Sequence, residues 1–277
     1  MPTFTTSDNV ALHYEDQGDG PSILCLAGLT RNSRDFTYLM PHLGDYRVIR
    51  LDYRGRGQSG HAADFMSYNV LREGADAIEL LDHLGLERIT LIGTSRGGLI
   101  AMALSITNPD RLSGVVLNDI GPEVTATGIA RIMDYVGKTP PFKDLDEAAE
   151  ALMAGQAKAF PGVPLWRWRE QADFMWAPAP GGGIALRYDP RLRDALVGQA
   201  GAGAAPDLWQ LFDGLREIPT AALKGANSDL LSPETFAKMQ ERNPDMITAI
   251  VPDRGHVPFL DEPEALDAIR AVLRKTA

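Results

Sequence analysis

An α/β fold with a mostly parallel central sheet, interrupted by a helical insertion, is what this sequence predicts, and three observations carry it. Short apolar runs alternate with helical patterns up to about residue 121, the alternation stops near Pro122, and it resumes near Thr220. Alternating strand and helix signals imply parallel strands joined by crossover helices.

In chain order, the expected strands of the first part are Val10 to Tyr14, Ile23 to Leu26, Val48 to Leu51, Ile89 to Ile92 and Val115 to Leu117, each bounded by Gly, Pro or charged turn residues. A helix is expected over about Tyr68 to Leu84, with Leu71, Ala75, Ile78, Leu81 and Leu84 at three- and four-residue spacing and Gly85 as its stop. Between about Pro122 and Gly214 strand signals vanish, and Trp166, Trp168, Trp176 and Trp209 appear with Ala, Pro and the Gly181-Gly182-Gly183 run. This stretch reads as a mostly helical subdomain. The pattern returns with Thr220 to Leu223, a helix after Ser232-Pro233, the strand Ile247 to Val251 and a last helix from about Glu264. The expected organisation is therefore a core of residues 1–121 and 215–277 with a lid at 122–214. Ala200 to Pro206, poor in side-chain chemistry, is expected to be a mobile loop.

Composition bounds the function. With 277 residues, 44% hydrophobic and 23% charged, the chain can bury a core without disulfides or metals. A net charge of −10 repels phosphate backbones and anionic lipid, so neither nucleic acid nor membrane is an expected partner. The single cysteine, Cys25, lies in an apolar strand and is expected to be an unreactive core residue. Met1 to Val10 has no basic stretch followed by an apolar one, so the cytoplasm is the expected location.

Gly93-Thr94-Ser95-Arg96-Gly97 matches G-x-S-x-G in the right context: an apolar strand precedes it and a helical pattern beginning at Leu99 follows. A serine on such a strand-to-helix turn has a strained backbone, and small neighbours let strand and helix approach. A serine hydroxyl is a poor nucleophile at neutral pH and needs a base. His256 is the best of five histidines, because it lies in the loop after the strand Ile247 to Val251 and before the last helix. His13, His42, His61 and His83 have positions that read as structural. The base needs a carboxylate to fix its tautomer. Asp229, in the loop before Ser232, is the expected acid, in the order Ser, Asp, His; Asp119, at the end of the strand Val115 to Leu117, is the alternative.

With these residues in hand, the chain resembles the α/β-hydrolase superfamily over essentially its whole length. Ala27-Gly28-Leu29 resembles that family's His-Gly-x oxyanion loop, Asp52-Tyr53-Arg54-Gly55-Arg56-Gly57-Gln58-Ser59 its D-x-R-G-x-G-x-S loop, and Gly255-His256 with Phe259-Leu260 its late histidine segment. The resemblance implies an α/β-hydrolase fold, and it implies that the backbone N–H groups of Leu29 and Arg96 hold an oxyanion. Ala27 departs from the family's histidine and removes a side chain that normally braces this loop. The Asp52 to Ser59 loop is expected to brace the top of the sheet rather than join the site.

Arg96 is unusual beside the nucleophile. It is expected to pair internally with a buried carboxylate, Asp119 being the obvious one, rather than to bind a substrate anion. The resulting expectation is a serine hydrolase that cleaves a carboxylic ester of a small, partly apolar substrate through an acyl-enzyme, with no metal and no organic cofactor. Two alternatives stand. One is hydrolysis of a carbon–carbon bond in an aromatic ring-cleavage product, which the lid arginines Arg167, Arg169, Arg187, Arg191 and Arg193 would favour and Val257 after the histidine disfavours. The other is a ligand-binding receptor with little turnover. Haloalkane dehalogenase and epoxide hydrolase chemistry is disfavoured, because the resembling enzymes use aspartate where this chain has Ser95.

Overall fold

The structure, a computed structural model, describes residues 2–201 and 207–276. The expected mobile loop Ala200 to Pro206 falls mostly outside the described residues. Strands β1 (Thr3–Thr5), β2 (Ala11–Gln17), β3 (Ser22–Leu26) and β4 (Arg47–Leu51) come first. Helix α1 (Val70–His83), β5 (Ile89–Thr94), α2 (Arg96–Thr107) and β6 (Leu112–Asn118) follow. The chain then leaves the sheet for α3 (Ala126–Tyr135), α4 (Leu145–Gln156), α5 (Leu165–Met175), the hairpin β7 (Trp176–Pro178) and β8 (Ile184–Leu186), α6 (Leu192–Gly201) and α7 (Trp209–Asp213). It returns through β9 (Thr220–Gly225), α8 (Pro233–Arg242), β10 (Ile247–Val251) and α9 (Pro263–Thr276).

Eight strands form one sheet in the order β1-β2-β4-β3-β5-β6-β9-β10, with the β1–β2 and β2–β4 pairs antiparallel and the rest parallel. Strands β3, β5 and β6 carry near-continuous apolar runs because helices cover both faces of the sheet. The β1 strand and the β7–β8 hairpin have no counterpart among the expected strands, and each is three residues long, too short for a period-two pattern to register. Cys25 is fully buried in β3, and desolvation pushes its thiol up to about 12.

Helix α1 keeps part of the expected apolar stripe, with Leu81 buried and Ile78 and Leu84 packed against the core, and departs from it at Leu71. Leu71 is 69% exposed, whereas Glu73, Gly74, Asp76, Ala77 and Leu80 face inward. The face is turned by charge pairing: Asp76 receives Arg54 at 2.7 Å, and Glu73 meets Arg96 and Arg56 at 2.6 and 2.8 Å. Asn69 caps the start by accepting from the Arg72 N–H, and Gly85, at φ +66°, ends the helix as the left-handed residue the sequence suggests.

The excursion between β6 and β9 has a small core of its own, which includes Leu145, Ala148, Phe160, Trp168, Trp176 and Ile184 and is joined by Phe259 from the segment after β10. Trp209 instead packs in the main core, and Trp166 is exposed. The arginines of this region are tied up: Arg167 with Asp261, Arg169 with Asp146, Arg187 with Asp173, Arg191 with Asp189, and Arg193 on the carbonyls of Met133 and Val136. Among the described residues no helix is long and apolar enough to cross a membrane.

Candidate active site

The register of the sheet brings the site together. Gly93 pairs with Leu117 and Thr94 with Asn118, so Ser95 and Asp119 are the next residues at the carboxyl ends of two adjacent parallel strands. Ligands of open α/β sheets bind at such ends. The Ser95 N–H donates to the Asn118 carbonyl at 3.0 Å, and the Asp119 N–H to the Leu223 carbonyl of β9 at 2.9 Å. Both residues have positive φ, +51° at Ser95 and +55° at Asp119, a conformation that costs an L residue about 1–3 kcal/mol and persists only where its surroundings enforce it.

Around Ser95 they do. A Cβ added to Gly97 would meet the Leu26 carbonyl oxygen at 2.1 Å, and one on Gly93 would meet Gly97 backbone at 2.5 Å. The Gly97 N–H donates to the Ala27 carbonyl at 3.1 Å, which pins the start of α2 to the end of β3.

His256 stands opposite. Its Nε2 lies 3.0 Å from Ser95 Oγ and its Nδ1 lies 2.7 Å from Asp119 Oδ2. With the proton on Nδ1, the imidazole donates to the carboxylate and Nε2 is left to accept from the serine hydroxyl. Asp119 is fully buried, and its other contacts are the Gly225 N–H at 2.8 Å and the Ser228 hydroxyl at 2.6 Å, which donate to it. The histidine loop is held by Glu262, which accepts from the Phe259 and Leu260 N–H groups at 3.1 and 2.9 Å and from Arg254 at 2.7 Å. Asn118 ties this loop to the nucleophile turn by donating to the Pro258 carbonyl and to Thr94 Oγ1, both at 3.1 Å.

The expected acid, Asp229, is not a partner of His256. Its carboxylate faces the excursion and pairs with Arg131 of α3 at 2.8 Å, with side chains 40% and 35% exposed. The reason is the register: the end of β6 delivers Asp119 between the ends of β5 and β9, directly behind the imidazole, whereas Asp229 lies farther along its loop and turns outward. The neighbouring Ser228 instead donates its hydroxyl to Asp119, a contact no motif in the sequence signals.

Arg96 pairs internally, but with Glu73 of α1 rather than with Asp119. Leu29 lies beside the nucleophile, since a Cβ on its neighbour Gly28 would sit 3.9 Å from the Ser95 Cβ. Among the described residues neither the Leu29 nor the Arg96 N–H donates to another protein group. Two free donors beside a serine are what a developing oxyanion requires.

A cavity of about 690 Å³ opens over Ser95. Its floor is Gly28 to Arg31, Ser95, Asn118 and the segment His256 to Leu260; its roof includes Arg131, Tyr135 and Lys138 together with Phe142, Leu152, Trp168 and Trp176. Trp168 and Trp176 thus pack the excursion and face the cavity at once. Among the described residues no group of three or more His, Cys, Asp or Glu could hold a metal ion.

Comparison with known proteins agrees with this architecture. Residues 23–269 match the Alpha/beta hydrolase family. The chain is similar to the 3-hydroxybutyrate-oligomer hydrolase of Cupriavidus necator, 36% identical over 90% of this chain and 88% of that one. It is similar also to the 2-(acetamidomethylene)succinate hydrolase of Mesorhizobium japonicum, 28% identical over 89% and 85% of the two chains. Among solved structures, an alpha/beta hydrolase from Novosphingobium aromaticivorans superposes with a TM-score of 0.92 at 40% identity, covering 99% of this chain and 97% of its own. The sheet with its strand-end serine, the histidine loop after β10 and these matches along nearly the whole length lead to one conclusion: the chain belongs to the alpha/beta hydrolase family.

Proposed function

We propose that this chain is a serine hydrolase that cleaves a carboxylic ester through an acyl-enzyme, and that its substrates are short, partly apolar esters bearing a carboxylate. The observation that carries the reading is the unbroken hydrogen-bonded run Asp119, His256, Ser95 at the floor of the cavity. Ser95 Oγ attacks the ester carbonyl while His256 Nε2 takes its proton. The Leu29 and Arg96 N–H groups receive the oxyanion, the imidazolium protonates the departing alcohol, and water, activated by the same nitrogen, releases the acid. Asp119 accepts from Nδ1 and keeps the imidazole in the tautomer whose Nε2 accepts from serine.

Two features support an anionic substrate. Arg131 and Lys138 line the roof together with apolar groups and the Asp134 carboxylate, and among the described residues Lys138 has no carboxylate within ion-pair distance. The relative at 36% identity is named for oligomers of a hydroxy acid, esters that end in a carboxylate. Hydrolysis of a carbon–carbon bond is the second reading. It would use the same serine and histidine, and the relative at 28% identity is named for a succinate derivative.

The test is steady-state hydrolysis of a 3-hydroxybutyrate dimer, its methyl ester and a ring-cleavage product, side by side. The ester reading expects kcat/KM highest for the free-acid dimer. Turnover of the ring-cleavage product with no ester turnover would replace it by the second reading.

A further inference from the structure

The loop carrying Leu29 begins at Ala27, whose methyl group can brace nothing, yet the loop is not left loose. Arg56 Nε donates to the Leu29 carbonyl at 3.0 Å, and the Tyr53 hydroxyl donates to the Ala27 carbonyl at 3.1 Å. Arg56 is itself fixed: its Nη1 donates to the Arg54 carbonyl at 2.7 Å and lies 2.8 Å from Glu73 Oε1, while the guanidinium stacks between the rings of Tyr53 and Tyr68. The other oxygen of Glu73 accepts from Arg96 Nε at 2.6 Å, and Arg96 Nη2 donates to the Tyr68 carbonyl at 3.2 Å. One buried carboxylate therefore accepts a hydrogen bond from Arg96 and stands in ion-pair range of Arg56. Arg56 grips the residue that carries the first oxyanion donor, and Arg96 is the residue that carries the second.

We infer that the Arg56–Glu73–Arg96 triad positions the oxyanion site, with Glu73 setting the separation of the Leu29 and Arg96 N–H groups. Three charges at 1%, 0% and 7% side-chain exposure are an expensive way to stabilise a core, since apolar residues of similar volume commonly do as well. What charges supply and apolar groups do not is direction. Arg56 aims its Nε at the Leu29 carbonyl, and Arg96 anchors its side chain on Glu73 and the Tyr68 carbonyl. None of the three side chains lines the cavity, so they act as positioning groups; only the backbone N–H of Arg96 meets the oxyanion. The inference rests on the proposed acyl-enzyme reaction at Ser95.

The test compares native chain, Glu73→Gln, Arg56→Lys and Arg96→Met with a 4-nitrophenyl ester and a trifluoromethyl ketone, whose adduct with a serine mimics the oxyanion. Arg56→Lys keeps a charge beside Glu73 but loses the Nε donor to Leu29. It carries the test should Glu73→Gln fail to fold. The expected result is a kcat about 10- to 100-fold lower in Glu73→Gln and Arg56→Lys, a KM within about threefold of native, and ketone affinity weakened by the same factor as kcat. Arg96→Met, which leaves Glu73 and Arg56 paired, loses less. A purely structural triad would lower the melting temperature while kcat and ketone affinity of the folded variants stayed within about twofold of native, and that outcome overturns the inference. A native chain that neither turns over the ester nor binds the ketone would instead sink the reading of the site itself.

Discussion

The floor and roof of the cavity are built on different principles. The reacting groups of the floor are held by strain and hydrogen bonds: Ser95 and Asp119 sit at positive φ, and buried Asp119 is surrounded by His256, Gly225 and Ser228. Roof groups are carried by short helices and a hairpin around a small separate core, and their polar members, such as Arg131 and Lys138, are partly or largely exposed. Strain and burial fix geometry, whereas exposed side chains on a separable layer can be exchanged without disturbing the sheet. Changes in the floor should therefore strike kcat, and changes in the roof should move KM and substrate choice.

The two candidate acids give the sharpest break between the regions. Asp119→Asn should lower kcat by about 10³- to 10⁴-fold, because an asparagine imposes the wrong imidazole tautomer. Asp229→Asn should leave kcat within about threefold, since it removes a half-exposed ion pair. It should also lower KM for an anionic ester by releasing Arg131. Steady-state kinetics on both variants with one carboxylate-bearing ester check this directly, and equal losses of kcat would dissolve the distinction between floor and roof.

A smaller effect is expected from the roof cation. Arg131→Met should lower kcat/KM for a free-acid ester about tenfold, the worth of one charge-assisted contact, and leave the matching methyl ester unchanged. Paired measurements on the two esters isolate the charge. A loss shared equally by both would mean that Arg131 holds the roof together rather than reading the substrate.

The smallest effect concerns how the roof is anchored. Asp189 accepts from the Tyr68 hydroxyl at 2.7 Å and from Arg191, and its N–H donates to the Gly55 carbonyl at 2.8 Å. Burial alone would raise its pKa, but the hydrogen bonds from Arg191 and Tyr68 outweigh burial and hold the carboxyl at about 2. A lowered carboxyl pKa stabilises the fold above the ordinary value near 4, and the contribution disappears as pH falls from about 4 to 2. Denaturant melts should show native chain above Asp189→Asn by about 1–2 kcal/mol at pH 6, with the gap closing below pH 4. A gap independent of pH would assign the loss to packing.

Much of this was legible in the sequence, because the relevant signals are local. The apolar run before Ser95, the glycines after it and the loop holding His256 each announce themselves within a few residues. The carboxylate that meets His256 did not, since Asp119 and Asp229 both follow strands and only the spatial order of β6 and β9 decides between them. Nor did Glu73, which reads as an ordinary first-turn residue of α1 until Arg56 and Arg96 converge on it from two other segments. That convergence also turned the helix so that Leu71 faces solvent, since burying a paired carboxylate took precedence over burying that leucine.

The central claim, that Ser95 is activated by His256 and Asp119, is tested most directly by intact mass after exposure to a fluorophosphonate. Native chain and Asp229→Asn should each gain a single adduct at equal rates, Asp119→Asn and His256→Ala should label far more slowly, and Ser95→Ala should gain none. Labelling that persists in Ser95→Ala, or that slows in Asp229→Asn and not in Asp119→Asn, would contradict the account.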